Sequence, residues 1–230
     1  LSCGSVGSTS TTISPGGSSM SPEGVGTAIR LPAEWESHEA TILAWPTNEA
    51  DWPGKFEAIP WVFVEMIRHL TVGERVDLVV PDDTVASEAR ARLAQAHVCM
   101  EQVRFLEHRL DRGWMRDCCP AFLQRGQALE AVHFDFNAWA KYDNFALDAT
   151  AAPFLSASSG AELREAIHQG RHVVLEGGAI DGNGSGTLLT TEECLLHSSV
   201  QVRNPGFTRH DYETLFRQFL GIETVIWLGN

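Results

Sequence analysis

The sequence predicts a protein of the α/β class, and three observations lead to that prediction. Apolar runs of strand length alternate with segments in which apolar residues recur at helical spacing. From Val173 onward the predicted order is strand, strand, helix, strand, and looser pairs of helix and strand precede it. With 43% hydrophobic and 20% charged residues, the 230-residue chain has the composition of a globular protein of one or two domains. The alternation indicates repeated small α/β units, although a doubly wound sheet would show it too.

The first half of the chain contains predicted strands at Ala40–Trp45, Val76–Val80 and Val103–Leu106. A helix at Phe56–Leu70 places apolar residues on one side, and Pro60 is tolerated there because it falls in the first turn. A second helix begins at Asp82 or Asp83, either of which can cap it, and lasts to about Gln95.

The second half is predicted mainly from turn and cap signals. A hairpin of Ala121–Leu123 with Ala128–Phe134 is followed by a short helix from Ala161 to Gln169, which Gly170 closes. Strands Val173–Leu175 and Thr187–Thr191 come next and are joined by a turn at Gly182–Gly186. The last elements are a helix capped by Thr208 and Asp211 that ends at Leu220, and a strand at Thr224–Leu228.

Composition excludes several classes of function. The formal net charge of −13 argues against a nucleic-acid partner, and it is compatible with a cationic ligand. No apolar run approaches the roughly 18 residues of a membrane span. The five cysteines lack the spacing of a disulfide framework or a zinc site. We therefore expect most of them to be reduced core thiols, and we expect a cytoplasmic location.

The N-terminal segment differs in composition from the rest. Residues 1–26 are rich in Ser, Gly and Thr, and we expect them to be disordered ahead of a domain at 27–230. The chain begins at Leu1, so either the true start is Met20 or the sequence is a fragment.

A candidate binding residue follows the apolar run of Val173–Leu175. Glu176 comes directly after this run and is followed by Gly177 and Gly178, which can adopt special backbone angles or let a ligand approach closely. A carboxylate at the end of a buried strand needs a partner. Backbone N–H groups or an arginine could satisfy it, and so could a cationic ligand.

A second candidate is the segment Trp114-Met115-Arg116-Asp117, in a predicted loop. Asp117 could accept hydrogen bonds from a flat cationic group while Trp114 covers its face. The alternative is a surface pair of Arg116 with Asp117 beside a packed tryptophan. Asp117 and Glu176 together could hold a guanidinium group, which offers five N–H donors in a planar fork.

We interpret most of the other reactive side chains as structural rather than catalytic. His133 and Asp135 share a strand face but lack further metal ligands nearby in sequence. Cys194 lies in an apolar context typical of a core thiol. Cys118 and Cys119 lie next to Asp117, and either remains an alternative nucleophile.

Several motifs in a fixed order resemble those of the agmatine deiminases, in the superfamily that includes bacterial-type peptidylarginine deiminases. The matching segments are LPAEWESHEATILAWPTNEADWPGK, WMRDCCP, FDFNAWAKY, LEGGAIDGNGSGTLLTTEECLL, RNPGFTRHDYE and LGIETVIWLGN. The resemblance implies a five-bladed α/β propeller of repeated ββαβ units, here incomplete at the C-terminus. Two departures lie near the candidate residues: Cys119 replaces a usual glycine, and NAWAKY lacks a glycine before its lysine.

The resemblance also implies a reaction. Family members hydrolyse a guanidinium through a cysteine amidino-thioether, with a histidine moving protons and no cofactor; agmatine would give N-carbamoylputrescine and ammonia, in putrescine biosynthesis. By position, Asp117 and Glu176 match the guanidinium-binding carboxylates, and Trp114 is a substrate-pocket wall. Whether the protein forms a homo-oligomer is left open.

The nucleophilic cysteine and catalytic histidine have no counterpart in these 230 residues. We therefore expect the deiminase domain to be truncated before those segments and inactive alone. The alternatives are a guanidinium- or polyamine-binding protein, and an arginine or peptidylarginine deiminase in which Arg112 and Arg116 clamp a carboxylate.

Overall fold

Twelve strands in four separate sheets and six α-helices build residues 28–229, the part of the chain that the computed structural model describes. The predicted α/β class is confirmed. The expectation of disorder at 1–26 lies outside the described residues, as do both ends of the predicted domain.

The strands of the described chain are short, as expected for small repeated units. They are β1 (Ile29–Arg30), β2 (Ala40–Ala44), β3 (Arg75–Val80), β4 (Val103–Glu107), β5 (Ala121–Arg125), β6 (Ala128–His133), β7 (Glu162–Glu165), β8 (Ile167–His168), β9 (Arg171–His172), β10 (Ile180–Gly182), β11 (Thr187–Thr191) and β12 (Thr224–Leu228). The α-helices are α1 (Ile59–Leu70), α2 (Asp83–Gln95), α3 (Met115–Cys118), α4 (Ala151–Ser159), α5 (Glu192–Leu196) and α6 (Arg209–Leu215).

The first unit is a parallel sheet of β2, β3 and β4, with β3 in the centre. Helices α1 and α2 connect its strands and bury Val64, Ile67 and Leu93 against it. The Asp82 side chain accepts the Val85 N–H and so caps α2. Every strand and helix predicted in this half is confirmed to within a few residues.

The second unit has the order strand, strand, helix, strand. The hairpin of β5 and β6 is antiparallel, α4 follows, and β7 returns parallel to β6. The predicted helix from Ala161 to Gln169 is wrong, because those residues contain β7 and β8. The helix lies earlier, and Gly160 in the left-handed conformation (φ 69°) ends it, rather than Gly170. Pairing with β6 outweighs the helical propensity of the Ala161–Gln169 segment.

The third unit repeats this order. Strands β10 and β11 form an antiparallel hairpin, α5 and α6 follow, and β12 pairs in parallel with β11. Thr208 and Asp211 form the predicted capping box. The predicted helix end at Leu220 is confirmed, although Phe216–Leu220 is a π-helix.

One predicted strand of the third unit requires correction. The hairpin partner of β11 is β10, whereas Val173–Leu175 is an extended segment with a single bridge, between Val174 and Asp135. Val173 and Leu175 are nevertheless buried, as their apolar side chains predict.

The described residues form four separate sheets, none of which is closed, and a five-bladed propeller is not confirmed. Two of the three units do have the ββαβ order. Within residues 28–229, no helix is long and apolar enough to cross a membrane.

Candidate active site

Asp117 lies on α3, a single helical turn where the sequence predicted a loop. The Trp114 carbonyl accepts the backbone N–H groups of Asp117 (3.0 Å) and Cys118 (3.2 Å). Burial of Met115 and Cys118 anchors this turn. The Asp117 carboxylate then accepts the backbone N–H of Gly178 through Oδ1 at 2.9 Å.

Gly177 and Gly178 allow this close approach. They form a 3-10 turn with Ala179, and neither has a positive φ. A methyl group at Gly177 would overlap the Arg116 carbonyl, and one at Gly178 would overlap the Asp117 carboxylate. The two glycines therefore make room for α3 of this chain rather than supplying special backbone angles.

Glu176 precedes this turn and is buried, with 1% of its surface exposed. Its Oε1 atom accepts the Arg203 Nε–H at 2.9 Å, and the Arg203 side chain is only 8% exposed. Its buried Oε2 atom has no hydrogen-bond partner in the described part of the chain. An arginine thus satisfies one oxygen of Glu176 and leaves the other available.

The two predicted carboxylates lie close enough to influence each other. Burial raises the pKa of Asp117, and the charge of Glu176 raises that pKa further. The Gly178 N–H, the charge of Arg116 and the Trp139 side chain oppose the increase in pKa. A cation bound between the two carboxylates would offset both burial and mutual repulsion.

Aromatic side chains stand beside Asp117. Trp114 is 41% exposed and stacks on Trp52 at a centroid distance of 5.7 Å. Trp139 meets Trp114 edge-on at 6.5 Å and also contacts Phe136 and Tyr142. The position of Trp114 fits a pocket wall, and sequence reasoning missed the contributions of Trp52 and Trp139 to it.

Trp139 is held in a strained segment. Ala138, Trp139 and Ala140 have φ values of 49°, 61° and 50°, in the left-handed region that favours glycine. The Asn137 side chain accepts the Ala140 N–H at 2.9 Å and stabilises this conformation. Strain of this kind concentrates at functional sites, and here it fixes the tryptophan beside Asp117.

We expect Ala140→Gly to stabilise the chain by about 0.5–1 kcal/mol, because glycine removes the left-handed strain but adds freedom to the unfolded state. The measurement is the free energy of unfolding in urea. Ala157→Gly, at an exposed position within α4, is the control and should destabilise by about 0.5–1 kcal/mol. Loss of stability in both variants would contradict the assigned strain.

The two arginines considered as a carboxylate clamp have partners. Arg112 pairs with Asp51, bonds to Asn144 and lies over the Tyr142 ring at 3.9 Å. Arg116 pairs with Glu34 and donates to the Ile180 carbonyl at 3.3 Å.

The alternative interpretation of the Trp114–Asp117 segment, a surface pair of Arg116 with Asp117, is therefore wrong. Arg116 uses its direct hydrogen bonds elsewhere, and it acts on Asp117 only through its charge.

The cysteines near Asp117 are poor nucleophiles in this structure. Burial raises the pKa of the Cys118 thiol, and it raises the pKa of the Cys119 thiol to about 12. Only a thiolate attacks an amidinium carbon efficiently, so neither thiol is activated.

His133 faces Glu165 at 2.9 Å and Asp135 at 3.9 Å. Among the described residues, no group of three or more His, Cys, Asp or Glu side chains is arranged to hold a metal ion. The structural interpretation of His133 and Asp135 stays a prediction.

A cleft of about 700 Å³ opens between β2, α1, α3 and β5. Trp114, Arg116 and Gly177 line part of it, whereas Asp117 and Glu176 do not. The cleft is mostly walled by apolar side chains, so the carboxylates rather than the cleft define the candidate cation site.

Residues 30–230 match the model of the Porphyromonas-type peptidyl-arginine deiminase family. The chain belongs to the Porphyromonas-type peptidyl-arginine deiminase family.

Individual relatives agree with this membership. The chain is 32% identical over 207 residues to the agmatine deiminase of Ectopseudomonas mendocina (strain ymp), covering 87% of this chain and 52% of that protein. The agmatine deiminase of Pseudomonas syringae pv. syringae (strain B728a) gives the same identity and coverage. A structure of the Enterococcus faecalis agmatine deiminase aligns with a TM-score of 0.75 at 25% identity, covering 90% of this chain and 56% of that chain.

The resemblance inferred from the sequence motifs is thus confirmed. The chain spans about half the length of these relatives.

Proposed function

We propose that this chain supplies the guanidinium-binding carboxylates of an agmatine deiminase. One observation carries the proposal: the Asp117 carboxylate, bonded to the Gly178 N–H, lies within reach of the charge of Glu176, and a buried oxygen of Glu176 has no partner in the described residues. A guanidinium could donate to Oε2 of Glu176 and to Asp117 at once. Trp114 would cover the ligand from the side.

The proposed reaction converts agmatine and water to N-carbamoylputrescine and ammonia, a step in putrescine formation. A cysteine thiolate attacks the guanidinium carbon, ammonia leaves, and water then cleaves the amidino-thioether. Asp117 and Glu176 bind and orient the guanidinium throughout, and no cofactor takes part. The ββαβ units would belong to a five-bladed α/β propeller, and the binding site would lie near its centre.

Agmatine fits this site better than free arginine does. Arginine carries an α-carboxylate that needs a cationic partner, and agmatine lacks that group. Arg112 and Arg116 both use their guanidinium groups on partners within the chain. These contacts support an amine-terminated substrate.

Calorimetric titration with agmatine tests the binding part of the proposal. The chain should bind agmatine, and arginine should bind at least tenfold more weakly. Because Cys118 and Cys119 are not activated, we expect no release of ammonia by this chain alone. Binding without turnover would also be the property of a guanidinium-binding protein. Absence of agmatine binding at millimolar concentration would contradict the proposal.

Asp117→Asn should abolish agmatine binding and stabilise the chain at pH 7. Burial raises the pKa of Asp117 in the folded state, so the folded chain favours the protonated carboxyl. The chain therefore loses stability as the pH rises from the ordinary pKa of an aspartate to the raised pKa of Asp117. The stabilisation by Asn should therefore shrink at acidic pH, where Asp117 is protonated. Urea unfolding at several pH values measures this effect.

The control for this prediction is Glu65→Gln, at an exposed pair with Arg68 on α1. It should leave agmatine binding unchanged. A lower stability of Asp117→Asn at pH 7 would contradict the assigned burial cost.

A further inference from the structure

The loop between α5 and α6 contains two adjacent residues that form hydrogen bonds with Glu176 and with the segment that precedes it. Arg203 donates from Nε to the Glu176 carboxylate at 2.9 Å. The Asn204 side chain pairs with Val174, accepting its N–H at 3.0 Å and donating to its carbonyl at 2.7 Å. We call Arg203 and Asn204 the RN clamp.

Asn204 takes the place of a neighbouring strand. On one side of the segment, the Val173 carbonyl and the Leu175 N–H bond to the backbone of Asp135. On the other side, where a strand would pair with Val174, the amide of Asn204 makes both bonds. Val174 is partly buried, and without Asn204 its N–H and carbonyl would lose these two bonds.

The RN clamp is itself held rigidly. Asn204 also donates to the Tyr212 hydroxyl at 2.9 Å, and Tyr212 is completely buried on α6. The capping box of Thr208 and Asp211 fixes the first turn of that helix. The position of Asn204 therefore depends on a well-anchored helix rather than on the loop alone.

Arg203 contacts Glu176 through one nitrogen only. Its Nη1 atom donates instead to the Gln201 carbonyl at 2.8 Å, and Gln201 has a left-handed backbone (φ 48°). A guanidinium can form two parallel bonds with a carboxylate, but here one donor is directed elsewhere. This arrangement leaves Glu176 Oε2 without a partner in the described residues.

We propose that Arg203 is a positioning residue, which orients Glu176 through Oε1 and leaves Oε2 to receive a substrate N–H, with Asn204 fixing the backbone beneath it. This inference deepens the proposed function and rests on it for the identity of the ligand. Arg203 supplies a cation beside this buried carboxylate. It does not itself touch the substrate.

The first experiment needs no ligand. The carboxyl carbon of Glu176 is followed by NMR in the 13C-labelled chain and assigned with Glu176→Gln. We expect the chemical shift of this carbon at pH 7 to change in Arg203→Lys and in Arg203→Met, because the fixed Nε–H donor to Oε1 is lost. An unchanged chemical shift in a folded variant would overturn the inference. Arg68→Lys, at an exposed pair with Glu65, is the control and should leave the chemical shift of Glu176 unchanged.

The second experiment measures agmatine affinity at pH 7. Arg203→Lys should weaken binding at least tenfold, because Glu176 loses the donor that orients it, and Arg68→Lys should leave binding unchanged. Unchanged affinity in a folded Arg203→Lys variant would overturn the positioning role. If the wild type binds no agmatine, the proposed function fails, and the NMR measurement alone then decides on Arg203.

Discussion

Gly178→Ala should abolish guanidinium binding, because a methyl group at this position would overlap the Asp117 carboxylate. The Asp117 side chain would have to rotate away, and its bond from the Gly178 N–H would be lost. The displaced carboxylate could no longer meet the ligand together with Glu176. We expect a loss of at least a hundredfold in agmatine affinity by calorimetry. We expect no other substitution that adds one carbon atom to weaken agmatine binding as much.

The same substitution should also destabilise the fold by about 1–3 kcal/mol, the usual cost of overpacking. Gly73→Ala is the matched control, because Gly73 has open space around it and an ordinary backbone conformation. That variant should bind agmatine as the wild type does. Normal binding by Gly178→Ala would show that Asp117 is not part of the binding site.

Local signals in the sequence were sufficient to predict the first unit. The cap at Asp82 and the proline in the first turn of α1 mark helix starts that the tertiary structure retains. The error at Ala161–Gln169 has a different origin. Those residues favour a helix locally, but β7 lies beside β6, and no sequence signal identifies that partner.

The Val173–Leu175 segment shows a second limit of sequence reasoning. Its apolar residues predicted burial correctly, yet its partner on one side is a single side-chain amide, from Asn204. A pattern of residues cannot reveal such a substitute for a strand.

The candidate site was only partly predictable for a related reason. Asp117 and Glu176 could be selected by residue type, because carboxylates next to buried runs need partners. Arg203 could not, because it lies 27 residues beyond Glu176 and its orientation depends on the left-handed backbone at Gln201. The motif RNPGFTRHDYE pointed to the segment without indicating the role of its arginine.

Arg203→Met should destabilise the chain by about 3–5 kcal/mol, because it leaves Glu176 buried without its cation. The double variant Glu176→Met with Arg203→Met should recover most of that loss, since apolar side chains can replace a buried ion pair at little cost. Urea unfolding of both variants and of the wild type measures the difference. Arg68→Met, at an exposed pair, should change the free energy of unfolding by less than about 1 kcal/mol.

The double variant separates stability from function. It should be folded and nearly as stable as the wild type, yet it should not bind agmatine, because both the acceptor oxygen and its positioning residue are gone. Such a result would mean that the chain retains the buried pair of Glu176 and Arg203 for ligand binding rather than for folding. If the double variant were as unstable as Arg203→Met, the pair would be required by the fold itself.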